Sequence, residues 1–209
     1  MWSWLVLTAH EITCIRGRRV LFTDLNLTIG AGEILHIQGS NGSGKTSLLR
    51  ILCGTSQPDN GTVLWQSEDI RACRSTYCEH LAYIGHTNGI KLELTPNENL
   101  SCLAAIKGFA ADSQIDLALT QSGLSRDRDI PCIHLSAGQR RRVAIAWVFM
   151  TQASIWILDE PLTAIDQDGI DIAKSRFRRH LDDGGLIVLT GHQHLQFEGR
   201  KINTLHLST

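Results

Sequence analysis

The chain has 209 residues, of which 43% are hydrophobic and 20% are charged, a composition typical of a globular domain with a core of its own. Its 20 Lys and Arg residues are balanced by 21 Asp and Glu residues, so the formal net charge is -1. This balance argues against broad binding along a nucleic-acid backbone, which requires a basic face, and we expect no nucleic-acid partner.

Short alternating runs predict strands in the first third of the chain. Residues 5–29 alternate between polar and apolar positions around a turn at 16–18, which predicts an antiparallel hairpin. A strand at 33–37 leads through a glycine-rich loop into a helical pattern at 45–52, and another strand is expected at 62–65.

The middle of the chain is predicted to be helical. Residues 95–98 form the pattern of a capping box with proline at the first helical position, so a helix should begin there. A second helix is expected over 113–122 and a third from Ser136. Three helices in succession predict a helical subdomain, at about 92–142, set into an otherwise alternating chain of strands and helices.

The final third returns to that alternation. The continuous apolar run at 155–158 predicts a parallel strand covered on both faces. A helix is expected over 166–181, a second buried strand over 186–190 and an edge strand over 202–207. Such alternation implies a parallel sheet with crossover helices, so we predict an α/β fold.

Signals for targeting or for cross-linking are missing from the sequence. The N-terminal segment lacks the basic region of a signal peptide, and no apolar run approaches the roughly 20 residues that a membrane-spanning helix needs. The six cysteines form no C-x-x-C pair, which predicts free thiols in a reducing compartment. We therefore expect a soluble protein that reaches a membrane only through a partner.

The loop that follows the strand at 33–37 fits the phosphate-binding pattern G-x-x-x-x-G-K-[ST]. Glycines let backbone N–H groups approach phosphate oxygens, and the helix N-terminus adds a favourable dipole. Lys45 is expected to reach the β- and γ-phosphates, and the Thr46 hydroxyl to bind Mg²⁺. A flexible glycine turn beside a chance Lys-Thr is the alternative, which the flanking strand and helix disfavour. The expected nucleotide-binding residues here are Gly39, Ser40, Asn41, Gly42, Ser43, Gly44, Lys45, Thr46 and Ser47.

Two carboxylates, Asp159 and Glu160, follow the buried strand at 155–158. Acidic side chains in this position are costly unless a cation or a reaction requires them. Asp159 is expected to hold the Mg²⁺ shell, and Glu160 to polarise the water that attacks the γ-phosphate. A simple N-cap for the next segment is the alternative.

Residues 135–139, Leu-Ser-Ala-Gly-Gln, distinguish among the enzymes that share a phosphate loop. They resemble the signature L-S-G-G-Q of the ATP-binding cassette (ABC) superfamily. The resemblance implies a P-loop NTPase (RecA-like) core with an antiparallel β subdomain and an inserted helical subdomain, in a single nucleotide-binding domain spanning 1–209. It also implies a homodimer in which the signature of one subunit completes the ATP site of the other. The alternative is a serine-capped helix with a solvated basic turn. The implied partner-site residues are Ser136, Ala137, Gly138, Gln139 and, in the D-loop, Asp166.

Three further positions are compared with the ABC pattern. His192, just after the strand at 186–190, matches the switch histidine that contacts the γ-phosphate. His86 stands where the superfamily usually has a glutamine that touches Mg²⁺ or the attacking water, so it is a possible further metal contact. Arg16 replaces the aromatic residue that stacks on adenine, and a guanidinium can also stack on a base.

The segment 84–100 and the signature variant L-S-A-G-Q-R-R-R resemble one ABC branch in particular. They are similar to the ATP-binding subunits of the bacterial cytochrome c maturation complex, the haem exporter ATPases of the CcmA family. This resemblance implies Mg²⁺-dependent ATP hydrolysis, integral membrane subunits as partners, and a peripheral position on the cytoplasmic face of a Gram-negative inner membrane. The cargo stays open, since ATP could drive haem export or the release of a haem-loaded chaperone.

Other functions remain as alternatives. The chain could serve another ABC exporter, or act as a soluble ABC ATPase on ribosomes or DNA, although it carries one cassette and no coiled-coil tract. A nucleotide kinase or small GTPase would share the phosphate loop but would not need residues 135–139.

Overall fold

The computed structural model describes residues 5–108, 112–191, 197 and 202–208. Contacts divide the chain into two compact units. The first is formed within 1–83, 153–160 and 178–209, and the second within 84–152 and 161–177. In chain order the elements are β1 (Val6–Arg16), β2 (Arg19–Gly30), β3 (Ile34–Gly39), α1 (Lys45–Leu52), β4 (Asn60–Trp65), β5 (Glu68–Asp69), α2 (Arg74–Glu79), β6 (Leu81–Ile84), α3 (Pro96–Lys107), α4 (Asp112–Gln121), a 3-10 turn (Cys132–His134), α5 (Ala137–Met150), β7 (Ile155–Leu158), α6 (Gln167–Asp182), β8 (Leu186–Thr190) and β9 (Asn203–Leu207).

The antiparallel sheet of the first unit has the strand order β2-β1-β4-β5. Its centre is the predicted hairpin, which is confirmed, because β1 and β2 pair from Val6 opposite Gly30 to Arg16 opposite Arg19. Leu7 and Ala9, and then Ile12 and Cys14, are the buried residues of β1, so the alternation of a strand with one face on a core is interrupted once, at the irregularity between Ala9 and Ile12. Strand β4 begins two residues before the predicted 62–65 segment, because Asn60 pairs with Thr13 of β1.

The parallel sheet of the first unit has the order β6-β7-β8-β3-β9. Strands β7 and β8 pair in parallel, as do β8 with β3 and β3 with β9. Every residue of β7 and β8 is buried, which confirms the interpretation of the two apolar runs as central strands. In parallel strands the carboxyl ends lie at one edge, where ligands of α/β proteins bind. Here that edge receives the phosphate loop from β3 and the Asp159-Glu160 pair from β7.

The second unit is built from helices whose starts are fixed by side-chain caps. In α3 the Thr95 hydroxyl accepts the Glu98 N–H at 3.1 Å, while the Glu98 carboxylate accepts the Thr95 N–H at 2.8 Å, which confirms the predicted capping box. Helix α5 begins in the same way at Ser136, as described below. The apolar side chains shared by these helices form a core of Leu100, Ala104, Ile115, Ala118, Leu119, Leu124, Cys132, Leu135, Val143, Ala146 and Met150.

The length and hydrophobicity of the helices and strands also bear on membrane insertion and on what the sequence can predict. Within the described ranges, no helix is both long enough and apolar enough to cross a bilayer. Strand β5, helix α2 and the 3-10 turn are not predicted by the sequence, because they are short and carry no apolar period.

Candidate nucleotide-binding site

The predicted phosphate loop connects the end of β3 at Gly39 to the start of α1 at Lys45. Lys45 is only 7% exposed, and its ammonium closes the loop on itself. Nζ donates to the carbonyl oxygens of Gly39 at 2.8 Å and Ser40 at 3.0 Å. The Lys45 ammonium is therefore held inside the loop by two backbone carbonyls at the end of β3.

Helix α1 differs from α3 and α5 at its N-terminus, because no side chain caps it. Its first intrahelical bond runs from the Leu48 N–H to the Gly44 carbonyl at 2.8 Å. The amides ahead of Leu48 have no acceptor within the helix, so they are donors for an anion placed at the helix start. Gly44 has a φ of 100°, and a Cβ there would lie 3.1 Å from both Leu21 Cβ and Phe22 Cε1, so only glycine fits this corner.

Asp159 is the buried carboxylate of the site, with 2% exposure. The Thr46 hydroxyl donates to Oδ2 at 2.8 Å, and the Thr190 hydroxyl donates to Oδ1 at 2.7 Å. The structure thus brings the end of β7 directly onto the first turn of α1, across 113 residues of sequence. Thr46 and Asp159 are oxygen donors of the kind that Mg²⁺ prefers, and a buried carboxylate facing a hydroxyl fits such a cation.

Two ionisable groups near Asp159, Cys53 and Tyr83, are shifted toward their protonated forms. Burial raises the pKa of the nearby Cys53 thiol well above its usual value, and Cys78 and Asp159 raise it further. Burial likewise raises the pKa of Tyr83. Both groups therefore stay protonated at neutral pH, and a protonated thiol is a poor metal ligand.

Glu160 follows Asp159 in an unusual backbone conformation, with a φ of 49°. Its N–H donates to the Thr190 hydroxyl at 2.8 Å, and its side chain is partly exposed beside the buried Asp159. Adjacent carboxylates therefore occupy different environments, as expected if one binds a cation and the other acts on water. Thr190 was missed by the sequence analysis, since nothing but its position at the end of a buried strand marks it.

Two arginines of the β1–β2 hairpin differ in their contacts. Arg16, the predicted base-stacking residue, donates from Nη1 to the Ile15 carbonyl at 2.9 Å, and the same atom lies 3.7 Å from Asp59 Oδ2. Arg19, its partner across the hairpin, was not predicted as a site residue. Its Nη1 lies 3.7 Å from the position that a Cβ on Gly42 would take, so Arg19 brings a cation to the phosphate loop.

The signature segment lies in the second unit, where Ser136 caps α5. The Ser136 hydroxyl accepts the Gln139 N–H at 3.1 Å, and the Gln139 side chain accepts the Ser136 N–H at 2.8 Å. A Cβ on Gly138 would collide with the Ala164 carbonyl oxygen, so the start of α5 is packed directly on the predicted D-loop. Asp166 accepts the Gly169 N–H at 3.0 Å and so caps the start of α6.

One residue of the basic turn after the signature, Arg141, is buried. Arg141 is 5% exposed and donates from Nη1 to the Gly85 carbonyl at 3.1 Å and to Asn88 Oδ1 at 3.0 Å. Its Nε donates to the Pro161 carbonyl at 3.4 Å. Arg141 therefore ties α5 to the loop that carries the exposed His86 and to the residue that follows Glu160. The alternative interpretation of a solvated basic turn therefore does not apply at Arg141, whose guanidinium is satisfied by two backbone carbonyls and the Asn88 amide oxygen.

One predicted site residue, His192, lies outside the described residues. The others are described, and they fall into two groups by unit. The phosphate loop, Asp159 and Glu160 belong to the first unit, whereas His86, the signature and Asp166 belong to the second.

Comparison with known proteins identifies the family to which the chain belongs. The family model for ABC transporters matches residues 22–163. The cytochrome c biogenesis ATP-binding export protein CcmA of Escherichia coli strain K12 is 46% identical over 203 residues, which cover 97% of each chain. CcmA of Shigella flexneri is 47% identical over the same length and coverage.

Solved structures agree on the fold. A putative ABC transporter ATP-binding protein from Pyrococcus furiosus superposes with a TM-score of 0.82 over 97% of both chains, at 21% identity. A dimeric ATP-binding cassette in a post-hydrolysis state, bound to ADP and Pi, gives a TM-score of 0.77 over 90% of this chain and 88% of the other, at 22% identity. The predicted P-loop NTPase fold with an added antiparallel sheet is confirmed. The chain belongs to the ATP-binding proteins of the ABC transporter family and, within it, to the cytochrome c biogenesis ATP-binding export proteins.

Proposed function

We propose that the chain is the ATP-hydrolysing, energy-coupling subunit of a membrane complex for c-type cytochrome biogenesis, with its catalytic centre at residues 39–46, Asp159 and Glu160. The observation that carries this proposal is the contact between Thr46 and Asp159 at 2.8 Å. It joins the two halves of a nucleotide site, the phosphate loop and the acidic strand end, with Glu160 as the next residue.

The phosphate loop would bind the triphosphate through its backbone. The uncapped first turn of α1 offers N–H donors, and the Lys45 ammonium adds a positive charge beside them. On ATP binding, the Lys45 ammonium would exchange the Gly39 and Ser40 carbonyls for phosphate oxygens, which are stronger acceptors because they are charged. Arg19 lies near enough to Gly42 to add a second cation at the same loop.

Members of the ABC ATPase family bind ATP with a divalent cation, generally Mg²⁺. In this chain Thr46 and Asp159 would hold it, because their oxygens already face each other at 2.8 Å. His86 would be a further contact of the cation. When bound, the cation supplies charge neutralisation on the β- and γ-phosphates.

Glu160 is the general base in this proposal. Its carboxylate accepts a proton from water as the water oxygen bonds to the γ-phosphorus, and the bond from that phosphorus to the ADP oxygen breaks. His192 would contact the γ-phosphate and help to orient it. The products are ADP and inorganic phosphate, and Glu160 then releases the proton to solvent.

The signature residues are proposed to act on the ATP of a second copy of the chain. The start of α5 is rigid, since Ser136 and Gln139 cap each other and Gly138 packs on Ala164. A rigid helix N-terminus is suited to binding the γ-phosphate of an ATP that another protomer holds. We therefore propose a homodimer with two shared ATP sites.

Mixing two inactive variants tests these shared sites. Ser136→Arg disables one signature and Lys45→Ala disables one phosphate loop, so each mixed dimer keeps one intact site. A random equimolar mixture should regain about a quarter of wild-type ATP turnover, since about half of the dimers are mixed. Turnover is measured for each variant alone and for the mixture after subunit exchange.

Thr95→Arg is the matched control for this experiment, because Thr95 caps α3 as Ser136 caps α5. It should destabilise the second unit to a similar extent but leave turnover near that of the wild type. A mixture no more active than its parents would contradict shared sites, and equal losses in the two arginine variants would assign the defect to helix capping.

We further propose that integral membrane subunits of the cytochrome c maturation complex hold the chain on the cytoplasmic face of the inner membrane. The support is the match to the E. coli and Shigella export proteins over nearly the whole chain. The expected contact surface includes the segment 86–100, in which Leu92 is 37% exposed. Its carbonyl accepts the Ile133 N–H at 2.8 Å, and Ile133 is 56% exposed, so an apolar patch lies here.

Co-purification tests this proposal. The tagged chain, expressed in its own cells and extracted with detergent, should bring down integral membrane proteins of the same complex. Leu92→Asp should reduce their recovery, because a charge in an apolar contact is costly. Ile106→Asp is the control, since Ile106 is 79% exposed and lies near the C-terminal end of α3, outside the segment 86–100. Recovery with ribosomes or DNA and without membrane proteins would instead support a soluble ABC ATPase.

A further inference from the structure

We propose that Thr190 is a positioning residue for ATP hydrolysis, which sets the direction of the Glu160 carboxylate through its contacts with Asp159 and Glu160. The inference rests on the proposed role of Glu160 as general base. It concerns a residue that the sequence pattern of the site does not include.

The Thr190 hydroxyl uses both of its hydrogen-bonding capacities on the two acidic residues. It donates to Asp159 Oδ1 at 2.7 Å and accepts the Glu160 N–H at 2.8 Å. Because the Asp159 carboxylate can only accept and the N–H can only donate, the direction of both bonds is fixed. One oxygen atom therefore holds the peptide group that separates the two carboxylates.

The register of the sheet explains why Thr190 is adjacent to both Asp159 and Glu160. Strands β7 and β8 pair in parallel, with Leu158 beside Leu189. The next residue of each strand is Asp159 and Thr190, so the contact follows directly from the pairing. A hydroxyl at a position that is 1% exposed carries a desolvation cost. Packing alone would accept Val there, which has the same shape and a higher preference for buried strands.

The backbone of Glu160 needs such a restraint. Its φ of 49° lies in the left-handed region, which costs free energy for a residue with a Cβ. Pro161 follows, and a residue before proline prefers an extended conformation. Without the bond to Thr190, the Glu160 backbone is expected to relax toward that conformation, which would redirect its Cα–Cβ bond and move the carboxylate away from the attacking water.

The test compares Thr190→Val with Thr190→Ser in the full chain, purified together with the membrane subunits that co-purify with it. Thr190→Val should lower kcat about 10- to 100-fold, the effect of a displaced catalytic group, with the KM for ATP changed by less than about twofold. Thr190→Ser keeps the hydroxyl and should restore kcat to within about threefold of the wild type. Melting temperatures are recorded for each variant.

Ser154→Ala is the matched control. The Ser154 hydroxyl is 1% exposed and contacts His80 Nδ1 at 3.3 Å, at the opposite end of β7 from Asp159. Its removal deletes a buried hydroxyl of the same sheet and should leave kcat unchanged. Equal losses of kcat in Ser154→Ala and Thr190→Val, or a Thr190→Ser variant as slow as Thr190→Val, would overturn the positioning role.

A double variant separates this inference from the proposed function. If Thr190 acts through Glu160, Thr190→Val should cause no further loss in single-turnover hydrolysis when Glu160→Gln is already present. A full additional loss would overturn the positioning role. Wild-type turnover in Glu160→Gln alone contradicts the proposed function, whereas a slow Glu160→Gln with a wild-type Thr190→Val contradicts only the role of Thr190.

Discussion

Replacing Glu160 by Gln is expected to lower ATP turnover about 10²- to 10⁴-fold, the usual contribution of a positioned general base. The amide has nearly the shape of the carboxylate but cannot accept the proton of the attacking water. ATP binding should be retained, because Lys45, Thr46 and Asp159 are unchanged. With hydrolysis blocked, a dimer held together by ATP should accumulate, and size-exclusion chromatography with Mg²⁺ and ATP measures it directly.

Glu33→Gln provides the control for this change of charge. Glu33 is an exposed carboxylate of the first unit, whose Oε2 accepts the Gly30 N–H at 2.8 Å in the turn before β3. The substitution removes the same charge with the same change of shape, away from the phosphate loop. It should leave turnover and dimer formation at wild-type values. Unchanged turnover in Glu160→Gln would refute the assignment of the base.

Elements with strong local signals were predictable from the sequence. The strands at 155–158 and 186–190 have the predicted bounds, because all of their residues are buried. All of these residues are apolar except the last one, Thr190. The start of α3 was predictable because its cap lies within four residues of sequence. Helix α2 was not, since its segment Arg-Ser-Thr-Tyr-Cys-Glu has one buried residue, Tyr77, and thus no period.

Site residues were predictable only where a motif carries them. Thr190, Arg141 and Arg19 act through contacts that join distant parts of the sequence. The bond from Thr190 to Asp159 spans 31 residues, and that from Arg141 to Gly85 spans 56. Such pairs depend on strand register and helix packing, which a local pattern does not contain. Thr190 and Arg141 could have been found by asking which buried polar residues need partners, whereas Arg19 is exposed.

In the second unit, the signature helix α5 contacts both the predicted D-loop and Pro161. Gly138 of the signature touches Ala164 of the predicted D-loop, and Arg141 of the same helix reaches the Pro161 carbonyl. A movement of α5 would therefore act on the segment that begins immediately after Glu160.

Replacing Lys45 by Ala is expected to weaken ATP binding about 10- to 100-fold, as for the loss of charged hydrogen bonds to phosphate. Two effects combine in this variant. The phosphates lose the ammonium, and the Gly39 and Ser40 carbonyls lose the donor that closes the loop at 2.8 and 3.0 Å. Turnover should fall further than affinity, because the lost charge also stabilises the transition state. Equilibrium binding of a fluorescent ATP analogue and steady-state hydrolysis measure the two effects.

Arg50→Ala tests whether the effects of Lys45→Ala depend on where on α1 the positive charge is lost. Arg50 lies in the last turn of the same helix, about 7.5 Å along its axis at 1.5 Å per residue, and is exposed. Its removal changes the net charge by the same amount but leaves the phosphate loop intact, so affinity and turnover should stay close to wild type. Equal losses in Arg50→Ala and Lys45→Ala would indicate a general effect of helix charge. Intact binding and hydrolysis in Lys45→Ala would show that residues 39–46 do not hold the phosphates.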